Sequence, residues 1–212
     1  MSAQAVAGQP LPMTRREFLY YIWGASMALF AAELGGVLFW YALPRFREGE
    51  FGGVITIDIS EVPAPDSKPV NKAAGRLWLS NIGDATINDP RYAAAGGGTA
   101  LGQPKQPGLK VIYQVCVHLG CLYKWVDDNN RFECPCHGSK YFLDGTTFSG
   151  PANRNLDTFE FELVDASGNV VAKPEVLEGV VQPLAIPANA AAIKINTAKK
   201  IKGTPNAPIN RS

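Results

Sequence analysis

All four cysteines and both histidines of this 212-residue chain fall within 22 consecutive residues. They form two short segments, Cys116-Val117-His118-Leu119-Gly120-Cys121 and Cys134-Pro135-Cys136-His137-Gly138-Ser139, with 15 residues between His118 and Cys134. Thiolate and imidazole are side chains that bind zinc, copper and iron. Two such segments suggest one metal site built from two loops. That constrains the fold, because the chain has to bring both loops to one point. At this level a redox cluster, a structural zinc with two cysteine and two histidine ligands, and bare structural cysteines all satisfy the residue types.

The rest of the head reads as β structure. From Val54 onward β-branched, alternating runs recur at 54–60, 76–82, 109–115, 131–135, 139–143, 158–164 and 169–176, each bounded by Gly, Pro, Asn or Asp. Seven or more short strands predict a mainly β fold, an antiparallel sandwich or barrel. The 37 Gly and Pro residues, most of them after residue 43, favour strands joined by turns over long helices. Residues 165–169 read as a hairpin turn, and residues 92–108 (YAAAGGGTALGQPKQPG) as an exposed loop inserted in the head.

Composition narrows the class. The length suits one domain or two small ones. With 46% hydrophobic and 18% charged residues and a net charge of +1, a disordered polyelectrolyte is excluded and nucleic-acid binding is disfavoured. The balance is uneven along the chain: basic against acidic residues number 4 and 4 in 1–53, 11 and 15 in 54–178, and 5 and 0 in 179–212. Residues 179–212 read as a basic C-terminal extension with one strand at 192–195, able to touch anionic lipid or an acidic partner.

The N-terminal part is of a different kind. Residues 18–43 (FLYYIWGASMALFAAELGGVLFWYAL) carry a single charge, Glu33, over 26 residues. As a helix at about 1.5 Å per residue they reach roughly 39 Å, enough to cross a bilayer with tilt. Tyr20, Tyr21 and Trp23 at one end and Trp40 and Tyr41 at the other suit the two interfaces, flanked by Arg15, Arg16, Arg45 and Arg47. The run is longer than a typical core helix or the apolar part of a cleaved signal, so a retained transmembrane anchor is the reading. Glu33 is costly in lipid and is expected to face a partner helix or to remain protonated. Thr14-Arg15-Arg16-Glu17-Phe18-Leu19 resembles the twin-arginine export signal. That route carries folded proteins, which suits a domain that acquires a metal centre before crossing. Residues 1–17 then form a cytoplasmic tail, and residues 44–53, with Gly49, Gly52 and Gly53, a flexible linker to a head at 54–178.

The two loop segments, written C-x-H-x-G-C and C-x-C-H-G-S, resemble the signature of Rieske iron–sulfur proteins. The resemblance covers the anchor and the head to about residue 178; the 93–108 loop and the basic extension lie outside it. It implies an antiparallel β-sandwich with a small cluster-binding subdomain whose loops fall at about 112–155. It also implies one [2Fe-2S] cluster, with Cys116 and Cys134 on one iron and His118 and His137 on the other. Imidazole in place of thiolate makes such a cluster less negative and easier to reduce. Zinc fits less well: the single residue between Cys116 and His118 is tighter than the usual spacing of about two to four, and zinc would leave Cys121 and Cys136 without a purpose. In the family those two form a disulfide, and two non-ligand thiols held together in an exported domain would oxidise. The extra pair separates the quinol-oxidising class from the soluble Rieske ferredoxins. Family positions further imply that the Ser139 and Tyr141 hydroxyls donate hydrogen bonds to a bridging sulfide and to the Cys116 sulfur. Both hydroxyls together point to the upper part of the range of roughly −150 to +300 mV. Gly150 and Pro151, within Ser149-Gly150-Pro151-Ala152, would cover the cluster from a third side, and Leu119 would help form a docking surface.

The function implied by this resemblance is that of the iron–sulfur subunit of a quinol:cytochrome c (or plastocyanin) oxidoreductase of the cytochrome bc or bf type. Its partners would be a cytochrome b-type subunit, a c-type cytochrome and quinol. His118 and His137 are the catalytic candidates, and the family points to His137 as the imidazole that meets quinol. The chain would sit, single-pass, in a cell inner (plasma) or thylakoid-type membrane with its head on the outer (periplasmic or lumenal) side. The alternative use of the same parts is a membrane-anchored Rieske subunit of another exported oxidoreductase, arsenite-oxidase-like.

Overall fold

The computed structural model describes residues 13–43, 51–94 and 106–205. The chain divides into two compact units, Met1–Arg45 and Phe46–Ser212. In the first, helix α1 runs from Arg15 to Ala42, starting earlier than the apolar run because of a capping box. The Glu17 amide donates to Thr14 Oγ1 at 3.3 Å and the Thr14 amide donates to Glu17 Oε2 at 2.9 Å. At its far end Leu43 turns extended, as expected for a residue that precedes proline. The helix is long and apolar enough to cross a membrane.

The second unit is mainly β. Its strands in chain order are β1 (Val54–Asp58), β2 (Val70–Lys72), β3 (Leu77–Ile82), β4 (Gly108–Tyr113), β5 (Lys124–Val126), β6 (Arg131–Glu133) and β7 (Lys140–Tyr141). There follow β8 (Thr147–Ser149), β9 (Thr158–Val164), β10 (Val170–Ala172), β11 (Val176–Leu177), β12 (Val180–Val181) and β13 (Ala192–Ile201). Two short helices, α2 (Asp84–Ile87) and α3 (Pro90–Ala94), lie between β3 and β4. Every pairing among the described strands is antiparallel. The large sheet has the order β1-β13-β9-β4-β3-β2 with β10 on β9; a second sheet has the order β5-β6-β7-β8, and β11 pairs with β12.

Two of the three buried apolar clusters among the described residues share one wall. Alternation sends Ile55, Ile57, Phe159, Phe161, Leu163, Ile193 and Ile195 into the first core. Each such buried side chain contributes about 1.5–3 kcal/mol. β3 is buried along its whole length, because Leu77 and Leu79 enter the first core while Trp78 enters a second. β4 does the same with Leu109 and Val111 on one side and Ile112 on the other. The second core adds Tyr123, Trp125, Phe132, Tyr141, Leu143 and Leu156 to Cys116 and Cys134. The four-stranded sheet that carries the cysteine loops therefore packs on the back of β3 and β4.

Three expectations change. The basic extension is part of the fold: β13 continues to Ile201 and lies between β1 and β9, so the head does not end at 178. Its periodicity fades after Ile195 because a bulge interrupts the β9 register there. The segment at 92–108 is not wholly an exposed loop. Tyr92 in α3 is 3% exposed, sits edge-on to Phe142 at 5.3 Å, and donates its hydroxyl to Asp144 Oδ2 at 3.0 Å; residues 95–105 lie outside the described residues. The run at 169–176 breaks into β10 and β11 around Pro174, which cannot donate to a ladder. The 165–169 turn is found: the Asp165 carboxylate accepts from the Ser167 and Asn169 amides, both at 2.9 Å. Of the linker, residues 44–50 lie outside the described residues.

Candidate metal centre

The two loops share one backbone design. In the first, between β4 and β5, the Cys116 amide donates to Cys121 O at 2.8 Å and the Gly120 amide to Cys116 O at 3.0 Å. In the second, between β6 and β7, the Cys134 amide donates to Ser139 O at 2.9 Å and the Gly138 amide to Cys134 O at 3.0 Å. Each loop thus opens on a cysteine and closes five residues later. The glycine in the fifth place has φ +82° in Gly120 and +74° in Gly138. Nothing crowds a Cβ at either position, so the left-handed backbone, not space, calls for glycine.

This frame sorts the side chains by depth. Cys116 and Cys134 open the loops and are free and buried. Cys121 and Cys136 are joined in a disulfide, Cα to Cα 6.6 Å, which ties one loop to the other. The His118 and His137 rings face one another edge to face at 4.8 Å; His118 is half-buried and His137 exposed. The sulfurs of Cys121, Cys134 and Cys136 also lie within 4.8 Å of one another, but two of the three are oxidised and supply no thiolate.

The residues present fit an iron–sulfur cluster. Two buried free thiols and two adjacent imidazoles stand on the same pair of loops, and the buried Nδ1 of His118 has no hydrogen-bond partner among the described residues. Orphaned buried polar atoms are rare unless something binds them. Burial pushes the Cys134 thiol above its ordinary value, against amide hydrogen bonds from Cys136 and His137 that pull the other way. A bound metal reverses that, because a coordinating thiol loses its proton outright.

The surroundings are built to donate. The Tyr141 hydroxyl lies 3.0 Å from Cys116 Sγ and is the donor when that sulfur is a thiolate. Burial, then the neighbouring Cys116, raises the Tyr141 phenol well above its usual value. Tyr123 is raised too, by burial and then by Tyr141 and Cys116. Both phenols therefore keep their protons. Ser139 is fully buried, and its Oγ accepts from the Ala152 amide at 3.2 Å. Gly150, at φ +96°, lets this third loop lie against the second: a Cβ there would stand 2.5 Å from Ser139 Cα. Leu119 and Leu122, 70% and 60% exposed, flank Cys121 at the outer tip.

Several supporting residues carry no signal in the sequence. Lys110 on β4 pairs with Asp144 at 3.7 Å with both side chains buried, yet charges in a strand and in a turn read as solvated. Asp144 also accepts from the Thr146 amide and hydroxyl at 2.9 and 2.7 Å. The aromatic bed of Tyr123, Trp125 and Phe132 reads only as core.

Known proteins resemble this chain in sequence. Residues 87–160 match the family described as the Rieske [2Fe-2S] domain. The cytochrome b6-f complex iron-sulfur subunit 1 of Synechocystis sp. is 30% identical over 174 residues, covering 77% of this chain and 86% of that one. The corresponding subunit of Gloeobacter violaceus is 34% identical over 159 residues (71% and 78%). The chloroplastic subunit of Volvox carteri is 32% identical over 163 residues (73% and 71%). A solved structure, the cyanobacterial plasma membrane Rieske protein PetC3 from Synechocystis PCC 6803, is 30% identical over 34% of this chain and 71% of its own, at a TM-score of 0.26. The chain belongs to the Rieske iron–sulfur protein family. It carries a [2Fe-2S] cluster and serves as an electron-transfer subunit.

Proposed function

We propose that this chain is the iron–sulfur subunit of a membrane quinol:cytochrome c (or plastocyanin) oxidoreductase, with Cys116 and Cys134 as ligands to one iron and His118 and His137 to the other. The observation that carries the reading is the sorting by depth: both free thiols are buried, while of the facing imidazoles His118 is half-buried and His137 exposed. The naming of its relatives as cytochrome b6-f subunits supports a membrane partner set of b- and c-type cytochromes. In the same reading 1–17 is a cytoplasmic tail with a twin-arginine-like signal, 18–43 the anchor and 44–53 the linker. The head then lies outside the membrane.

When bound, the cluster supplies a one-electron acceptor. The chain's own residues do the rest. His137, exposed, accepts a hydrogen bond from the quinol hydroxyl at an imidazole nitrogen and holds the proton that leaves with the electron. Leu119 and Leu122 press an apolar rim around that contact and exclude water from it. Tyr141, whose hydroxyl lies 3.0 Å from Cys116 Sγ, and Ser139 would supply hydroxyl donors to stabilise the negative charge that a bound cluster gains on reduction. The Cys121–Cys136 bridge keeps the two loops together through the cycle.

Rapid mixing of membranes holding the assembled complex with a reduced short-chain quinol tests this. The reduced-cluster EPR signal is expected to grow with quinol concentration to a plateau, and added cytochrome c to become reduced. A cluster that dithionite reduces and quinol does not would overturn the assignment.

A further inference from the structure

The C-terminal segment from Lys200 to Pro205 lies beyond the residues matched to the Rieske domain, 87–160. After the bulge in β13, Lys200 and Ile201 pair with Phe159 and Thr158, which leads the chain towards the loop that follows Gly150. There it makes a dense set of contacts. Lys200 Nζ lies 2.9 Å from Asp157 Oδ2, and the Gly203 amide donates to Asp157 Oδ1 at 3.0 Å. The Asn155 amide donates to Thr204 O at 2.9 Å, and Asn155 Nδ2 to Thr204 Oγ1 at 3.2 Å. Arg154 forms a bridge with Pro205 and an ion pair with Asp157.

The fit is close at both ends of the loop. A Cβ on Gly203 would stand 2.0 Å from Asn155 O, so that residue has to be glycine for the two segments to meet. Asp157 is buried. Burial works to raise its carboxyl, and Arg154, Lys200 and the Gly203 amide outweigh it and hold the group below its usual range. At the other end of the same loop the Ala152 amide donates to Ser139 Oγ, and Gly150 lies against the Ser139 backbone. With one lone pair engaged by Ala152, the Ser139 hydroxyl has its single proton left to donate away from the loop, on the side where it also interacts with the Tyr141 phenol.

We propose that Lys200–Pro205 is a strap that holds the 150–157 loop in place, fixes the Ser139 hydroxyl through Ala152, and so would tune the reduction potential of a bound cluster. Asp157 and Gly203 are positioning residues in this arrangement. The inference rests on the reading above that places Ser139 beside the cluster.

The experiment is an EPR-monitored redox titration in membranes of four proteins: the parent, a truncation after Ile201, Ser139→Ala, and the two changes combined. The truncation keeps the β13 ladder and Lys200 and removes the contacts of Gly203, Thr204 and Pro205. It is expected to lower the one-electron reduction constant by about tenfold, about 59 mV, and to alter the line shape. In the Ser139→Ala background it is expected to add nothing, because its route of action is gone. A truncated protein with the parent's midpoint overturns the proposal, and so does a drop of the same size in both backgrounds. Should the truncation lose its cluster, Asp157→Asn, which keeps the shape and withdraws the charge, serves in its place with the same sign, a smaller factor and the same two overturning results. A parent protein without a Rieske signal would instead defeat the cluster reading, so the two failures are distinguishable.

Discussion

The two cores of the head are built by different rules. The first is aliphatic and phenylalanine-lined, filled by alternation along β1, β9 and β13. The second, behind the metal loops, mixes tyrosine, tryptophan and cysteine and is bordered by a buried ion pair, Lys110 with Asp144. A core of the first kind tolerates volume-conserving change and specifies shape only loosely. In the second the Tyr141 hydroxyl meets Cys116 Sγ at 3.0 Å and the Tyr123 hydroxyl donates to Tyr113 O at 2.7 Å, so those positions are fixed to within a hydrogen bond, while Trp78 Nε1 is buried with no partner among the described residues. The chemistry sits on the core with the stricter rule, which is what a site needs when donors must be held against two loops.

That contrast can be broken most directly at Lys110. Lys110→Met leaves the buried Asp144 carboxylate with only Tyr92 and Thr146, and is expected to cost about 3–5 kcal/mol. The double change with Asp144→Leu is expected to recover most of it, as read by urea denaturation. A single variant within 1 kcal/mol of the parent, to take a rough threshold well below that range, would show that the pair does not hold the second core. Next in size is the disulfide. Its two cysteines are 15 apart in sequence, and Cys121→Ser is expected to cost about 3 kcal/mol and to loosen cluster retention, measured by iron and acid-labile sulfide after gel filtration.

Tyr141→Phe sharpens the comparison on the redox side. It removes the hydroxyl 3.0 Å from Cys116 Sγ, a bond to a charged acceptor worth about 1.5–3 kcal/mol. The reduction constant is expected to fall about tenfold, a drop of about 59 mV in the midpoint, with a loss of stability no larger than the bond itself. The matching change in the first core, Ile193→Val, is expected to cost about 1 kcal/mol and leave the midpoint where it was. If Ile193→Val moved the potential as far as Tyr141→Phe, the division between the cores would not hold.

The smallest effect is one of pH. The Asp157 carboxyl is lowered in the fold, and Asp66 is lowered too, where burial opposes and hydrogen bonds from Thr86, Gly83 and Ala85 prevail. A folded-state value below the unfolded one, about 3.9, gives stability that is present in full above that value. It is lost as pH falls through the folded value. The stability gap between parent and Asp157→Asn is therefore expected to narrow below about pH 4, measured as urea midpoints at pH 7 and pH 3.

Much of this was legible in the sequence for reasons that differ by element. The cysteine loops were readable because the chemistry demands particular residues at fixed spacing, and the strands at 54–60 and 158–164 because one face is buried and the other wet. β13 past Ile195 was hidden: its residues 198–200 are exposed, so lysines there looked like a solvated tail although Lys200 and Ile201 pair with Phe159 and Thr158. Tyr92 beside a Gly-rich run, and Lys110 opposite Asp144, depend on partners 52 and 34 residues away, and no local pattern encodes such a meeting.

In the proposed function the buried thiols and facing imidazoles hold a cluster whose electron and proton move together. An EPR-monitored redox titration of the protein in membranes at several pH values tests it most directly. The expected result is a rhombic reduced-state signal with a high midpoint that falls as pH rises, since reduction then takes up a proton at an imidazole. A silent spectrum from matured protein, or a midpoint indifferent to pH, would contradict it.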